Sequence, residues 1–169
     1  KGEGQYRPLG LPALEDTLLQ MAVARMLGSI FAADFLPYSD GYRPQKRARG
    51  AVQARRPTRQ FGPYADVVDA DIHGFFDNIA HQWMRRMLEQ RIDDAPLLRL
   101  IKQWLQAGIL EEDGKVLHPA TGTPQGGIVS LILAKVYVHD ALDLWCEHVV
   151  KTHRKGDVSL YRYADDCVC

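Results

Sequence analysis

Two carboxylates stand side by side in Tyr163-Ala164-Asp165-Asp166, between residues 158–162 and 167–169, both of which read as strand. Adjacent acids on a tight turn repel each other, and burying either without a partner is very costly. A divalent cation removes that conflict, and a donor set made of oxygens suits Mg²⁺. An Asp-Asp pair on a hairpin is one half of a phosphoryl-transfer site; by itself it also fits a solvated turn. The other half would be an aspartate at the end of another strand.

Residues 64–72, Tyr-Ala-Asp-Val-Val-Asp-Ala-Asp-Ile, supply that aspartate. Val67 and Val68 favour a strand, and side-chain alternation puts Asp69 and Asp71 on one face. His73-Gly74-Phe75-Phe76-Asp77-Asn78 then breaks the strand and leads into a helix, which either aspartate could equally cap. Together the two segments could carry a two-metal centre, with ions about 3.5–4 Å apart serving the attacking and leaving oxygens. A third segment, Thr121-Gly122-Thr123-Pro124-Gln125-Gly126-Gly127, precedes a long apolar run. Its paired glycines allow close backbone approach to a ligand, the helix start offers free N–H groups to an anion, and Gln125 can bond a base or sugar edge. A plain turn before a helix accounts for the same residues, and neither a P-loop nor a dinucleotide fingerprint matches.

Read in order, these segments closely resemble the reverse transcriptases of bacterial group II introns and their relatives. Arg7-Pro-Leu-Gly-Leu-Pro with Glu15-Asp16 and Gln20 resembles their first fingers motif, and Asp40-Gly41-Tyr42-Arg43-Pro44 the second. Residues 68–79 resemble the palm motif with the first catalytic aspartate, residues 122–128 the template and nucleotide-pocket motif, and Tyr163-Ala-Asp-Asp166 the metal-binding turn. The likeness runs over nearly the whole chain. Two departures stand out: the second fingers motif usually reads SYGFRP but has Asp40 here, and the helix usually opening SPLLAN reads Ser130-Leu131-Ile132-Leu133-Ala134-Lys135.

The resemblance implies an α+β right-hand polymerase, with a fingers region over 1–62 and a palm region over 63–169. A small antiparallel palm sheet would pack on helices. It implies an RNA-directed DNA polymerase that adds dNTPs to a DNA or RNA primer on an RNA template with two Mg²⁺ ions, Mn²⁺ serving as a substitute. Asp71, Asp165 and Asp166 would be catalytic, and these with Ile72 would hold metal; Asp69 would support from behind. Lys1, Arg7, Phe75, Gln125 and Gly126 would bind the nucleotide, Lys1 and Arg7 as a triphosphate clamp. Arg43, Lys46, Arg47 and Gly127 would meet nucleic acid. Continued strand alternation from Asp71 would bring Phe75 to the same face as a gate against a ribose 2′-OH, leaving Phe76 to the core; both rings also fit a core. Two other functions fit the same likeness, an RNA-binding maturase module that assists splicing of a structured intron RNA and an RNA-directed RNA polymerase. A homodimer is compatible with either. The chain starts without Met and stops three residues after Asp166, ahead of the family's primer grip and thumb, so residues 1–169 alone are expected to extend a primer poorly.

The rest of the chain must position these groups. Its 169 residues can form one domain, and 46% hydrophobic with 25% charged residues excludes a disordered chain. Net charge is zero but unevenly spread. Residues 1–60 carry ten Lys/Arg against five Asp/Glu, and 61–169 eleven against sixteen. Seven basic residues and no acid lie between Arg43 and Arg59, a patch suited to a phosphate backbone. Cys146, Cys167 and Cys169 form no CxxC pair and fit core packing in a reducing cytoplasm better than zinc. No run is long and apolar enough to cross a membrane. Residues 1–10 read as extended, 14–35 as a helix interrupted near Gly28, 37–44 as a loop, 46–55 as a basic helix and 64–71 as a strand. Residues 81–92 and 95–107 read as helices, 109–117 as a hairpin turning at Asp113-Gly114, and 128–150 as a helix. His81 reads as a helix-start residue rather than a catalyst.

Overall fold

The computed structural model describes residues 10–41, 66–110, 116–117, 120–124 and 126–169. The chain divides into two compact units, one of Lys1–Ile30 with Gly74–Ala134 and the other of Phe31–His73 with Lys135–Cys169.

Helix α1 spans Leu14–Phe31. Its residues are mostly strong helix formers, and Glu15 and Asp16 sit at the positive end of its dipole. Gln20, Val23, Leu27 and Phe31 are buried at spacings of three and four, which marks one inward stripe. The helix passes through Gly28 without a break and stops at Phe31, four residues short of the expected end. A single glycine costs a helix only about 1 kcal/mol, too little to interrupt well-formed flanks.

In the first unit, α2 (His81–Glu89) buries Met84 and Leu88, while α3 (Ala95–Leu105) buries Ile101, Trp104 and Leu105. The two helices pack on each other, and the Trp104 indole donates to Asp16 Oδ1 of α1 at 3.2 Å. Asp94 caps α3, accepting from the Leu97 N–H at 2.7 Å, with Pro96 in the first turn where its missing N–H is harmless. Asp94→Ala is expected to lower stability by about 1 kcal/mol, read as a shift in the urea midpoint with an unchanged slope. Strands β2 (Ile109–Leu110) and β3 (Val116–Leu117) pair antiparallel as expected; their turn at 113–114 lies outside the described residues.

Helix α4, Ile128–Val138, is buried on nearly every side. The coil then widens into two π turns, His139–Asp143 and Cys146–Val150, and ends in a last α turn, Lys151–His153. The expected single helix 128–150 is thus three residues longer and differently wound. In the second unit, β1 (Asp69–Asp71), β5 (Asp166–Val168) and β4 (Tyr161–Tyr163) form an antiparallel sheet in the order β1-β5-β4. Val68 and Cys169 exchange backbone bonds at 2.8 and 2.9 Å, extending the β1–β5 ladder by one pair. The free edge of β4 is covered by residues 38–40: Arg162 N donates to Tyr38 O, and Asp40 N to Arg162 O, both at 3.1 Å. Cys146, Leu160 and Cys167 make the core beneath the sheet, joined by Tyr38, Leu142, Val150 and Val158. The structure therefore has the expected class, helices with one small antiparallel sheet. Among the described residues, no helix is long and apolar enough to cross a membrane.

Candidate functional site

The sheet register sorts the site residues by face. Asp71 lies directly opposite Asp166, which lies opposite Tyr163; one step along, Ala70 faces Cys167, which faces Arg162. Opposed residues share a face and neighbours alternate. Arg162 and Cys167 are buried, so Asp69, Asp71, Tyr163 and Asp166 occupy the open face, and all four are solvent-exposed. Asp165 stands in the two-residue turn beside them, half-buried.

The charge gathered there is unbalanced. What burial Asp166 has, and after it the charges of Asp165, Asp71 and Asp69, push its carboxyl above the usual range. Every charge acting on it is an acid's. Among the described residues, no group of three or more His, Cys, Asp or Glu is drawn tightly enough together to hold a metal ion. Mg²⁺ binds in just such settings, through one or two carboxylates with substrate phosphates and water completing the shell. Asp71, Asp165 and Asp166 fit that donor set.

The turn carrying Asp165 and Asp166 is held from behind. Ala164 has a positive φ of 60°, a conformation that costs an L-residue about 1–2 kcal/mol and persists only where its surroundings enforce it. The Arg162 guanidinium supplies one such constraint: Nη1 donates to Ala164 O at 2.8 Å. Its other donors reach Asp143 Oδ1 and Oδ2 at 2.7 and 2.6 Å and Ser39 Oγ at 2.7 Å. Asp143 and Ser39 are fully buried, and Arg162 nearly so. Burial alone would raise the Asp143 carboxyl, but the Arg162 hydrogen bonds, with His139 Nδ1 at 3.5 Å, hold it below the usual range. Gly41 supplies a second constraint, since a Cβ on it would lie 2.3 Å from the Ala164 nitrogen. Gly41 is itself fixed by the buried Lys135 ammonium, which donates to its carbonyl at 2.6 Å and lies 4.5 Å from the centre of the Phe35 ring.

In the first unit, Phe75–Asn78 forms a 3-10 turn entered through Gly74 at φ 59°. Strand alternation therefore ends at Asp71 and cannot relate Phe75 to it. Phe75 is buried and Phe76 half-buried, their rings edge to face at 5.4 Å. The segment is laced to residues 121–123: Gly122 N donates to Ile79 O and Thr123 N to Phe76 O, both at 2.8 Å, and Thr121 Oγ1 to Asp77 O at 3.0 Å. Gly122 has φ 89°, and a Cβ there would meet the Phe76 and Asp77 carbonyl oxygens at 2.8 Å. His81 opens α2 and donates from Nε2 to Gly122 O at 2.7 Å, a structural role consistent with its reading as a helix-start residue.

A family model described as reverse transcriptase (RNA-dependent DNA polymerase) matches residues 1–169. The chain belongs to the reverse transcriptase family. Group II intron-encoded protein LtrA of Lactococcus lactis subsp. cremoris is 39% identical over 140 residues, 83% of this chain and 23% of that protein. The 91 kDa protein in cob intron of Schizosaccharomyces pombe is 34% identical over 149 residues, 88% of this chain and 18% of that one. The chain thus spans about a fifth of the length of these relatives. The fold is also similar to a solved structure of telomerase from Candida albicans in complex with a fragment of telomeric RNA, with a TM-score of 0.53 at 11% identity over 90% of this chain and 29% of that one.

Within this reverse transcriptase domain, the hairpin unites Asp71, Asp165 and Asp166, with Ile72 immediately after β1 and half-buried. Gly126 is exposed at φ 107°, and Gly127 is half-buried just before α4. Lys1, Arg7, Arg43, Lys46, Arg47 and Gln125 lie outside the described residues, as do the basic helix 46–55 and the extended segment 1–9. Sequence reasoning passed over Arg162, Asp143, Ser39 and Lys135. The signal for Arg162 was its alternation with Tyr161 and Tyr163, which places a charge on the inner face of a strand and so calls for a buried partner.

Proposed function

We propose that this chain is the catalytic part of an RNA-directed DNA polymerase, with a fingers region over 1–62 and a palm region over 63–169. It would extend a primer 3′-OH with dNTPs along an RNA template. The observation that carries this reading is the placement of Asp71 opposite Asp166, with Asp165 in the adjoining turn. Asp71, Asp165 and Asp166 would hold two Mg²⁺ ions; at Ile72 only the backbone carbonyl could contribute, because its side chain is apolar. When bound, the ions would supply an activated primer hydroxyl and neutralise the triphosphate. The β1–β5 ladder fixes the spacing of the carboxylates, and the turn aims Asp165 beside them. Lys1 and Arg7 would clamp the triphosphate, with Gln125 and Gly126 at the nucleotide and Phe75 as the gate against a ribose. Arg43, Lys46, Arg47 and Gly127 would bind the template–primer backbone.

A second reading, an RNA-binding maturase module, is supported by the intron-encoded relatives. The full-length protein, given an RNA template with a primer, is expected to incorporate dNTPs in a Mg²⁺-dependent manner and NTPs poorly. Asp165→Asn is expected to abolish incorporation while RNA affinity, followed by filter binding, stays within about twofold. No incorporation by the wild type, equal use of NTPs, or full activity in the variant would overturn the polymerase reading.

A further inference from the structure

We propose that Arg162 is a positioning residue for metal binding: clamped by Asp143 and Ser39, it holds the Ala164 carbonyl and so sets the geometry in which Asp165 and Asp166 present their carboxylates. This rests on the polymerase reading above. Four donated bonds of 2.6–2.8 Å fix the guanidinium in one orientation. The Asp143 fork is bidentate and planar, an arrangement a lysine ammonium cannot reproduce. Three of the bonds orient Arg162, and the fourth passes that orientation to the turn. Asp143 is itself set at depth by the π turn His139–Asp143.

Arg162 acts by geometry rather than by charge. The groups that shift the Asp166 carboxyl are Asp165, Asp71 and Asp69, and the Arg162 cation is not among them. Its charge is matched by Asp143 inside the fold. The free-energy demand is concrete: Ala164 must stay at φ 60° for the two aspartates to keep their aim. Without the bond to its carbonyl, the turn can relax toward negative φ and carry both carboxylates with it. A second contact, Gly41 against the Ala164 nitrogen, limits where the turn can go but does not hold its carbonyl.

The test uses the full-length protein on a primer–template whose primer is chain-terminated, with Mn²⁺ binding followed by electron paramagnetic resonance and Mg²⁺ half-saturation of extension measured on an ordinary primer. Arg162→Lys keeps the charge and loses the fork. It is expected to weaken Mn²⁺ binding and raise the Mg²⁺ half-saturation by about 10- to 100-fold, the usual range for losing an outer support of a metal site. Rate is recovered at saturating Mg²⁺ and RNA affinity is unchanged. An Arg162 that only stabilised the fold would lower the melting temperature and leave the metal dependence of the folded fraction as in wild type. Ser39→Ala removes a single orienting bond, so if Arg162→Lys does not fold, a metal-affinity loss of about two- to fivefold in Ser39→Ala supports the proposal, and an unchanged affinity overturns it. A wild type that extends and binds Mn²⁺ alongside a folded Arg162→Lys with unchanged metal affinity overturns the positioning role alone. A wild type that neither extends nor binds overturns the polymerase reading with it.

Discussion

Asp166→Asn is expected to abolish nucleotide incorporation by the full-length protein, by a factor of about 10³ or more, while leaving the divalent-free protein no less stable than wild type. The two effects share one cause. Asp166 lies in a field of like charge from Asp165, Asp71 and Asp69, which with its partial burial raises its carboxyl above the ordinary carboxylate value. A raised acid binds its proton more tightly in the folded state. Its contribution to stability is present at low pH and is lost as pH rises through the folded value, so at neutral pH the ionised group works against folding. A divalent cation cancels that opposition. Thermal melts should show Mg²⁺ stabilising the wild type at pH 7 more than at pH 4, with both the Mg²⁺ effect and this part of the pH dependence reduced in Asp166→Asn. A variant that keeps its activity, or keeps the full Mg²⁺-induced rise in melting temperature, would remove Asp166 from the metal site.

Gly41→Ala is expected to reduce incorporation by about 10²-fold although residue 41 carries no chemistry. The added methyl would stand 2.3 Å from the Ala164 nitrogen, a distance no side chain sustains, and the atom it meets is backbone. Gly41 cannot retreat freely, because Lys135 holds its carbonyl. The turn must therefore yield, and a shift near 1 Å in a catalytic group costs about that factor. Overpacking of this kind also destabilises by about 1–3 kcal/mol. Steady-state extension at several Mg²⁺ concentrations, beside a urea melt, separates the two. Wild-type rates in a folded Gly41→Ala protein would mean that the turn tolerates displacement.

How much of this was legible in the sequence depended on the range of the forces involved. The hairpin at 163–166 declared itself because period-two alternation and a two-residue turn are local properties, though its strands fall at 161–163 and 166–168 rather than 158–162 and 167–169. That Asp71 would meet the acidic hairpin came from the resemblance; that its direct opposite is Asp166 came only from the register. Alternation misled once it was carried past Asp71, since the left-handed Gly74 turns the chain into a 3-10 segment and buries Phe75 more deeply than Phe76. A glycine in a strand-like run was the warning. Gly28 misled in the opposite direction, because a helix stop needs more than one weak residue. The Asp143–Arg162–Ser39 network was invisible for a different reason: buried ion pairs are set by tertiary placement, and a separation of 123 residues between Ser39 and Arg162 leaves no local period.

The widened coil after α4 sets a rule for how this protein can vary in length. Each π turn accommodates one more residue per turn than an ordinary helix would. Removing a single residue between His139 and Val150 would let the coil tighten, rotate everything after it by roughly 100°, and turn Cys146 from the interior toward water. The same deletion in an exposed loop would pass unnoticed. Homologous chains should therefore tolerate many exchanges of side chain along this stretch but almost no insertion or deletion, so their alignments should run through it without gaps.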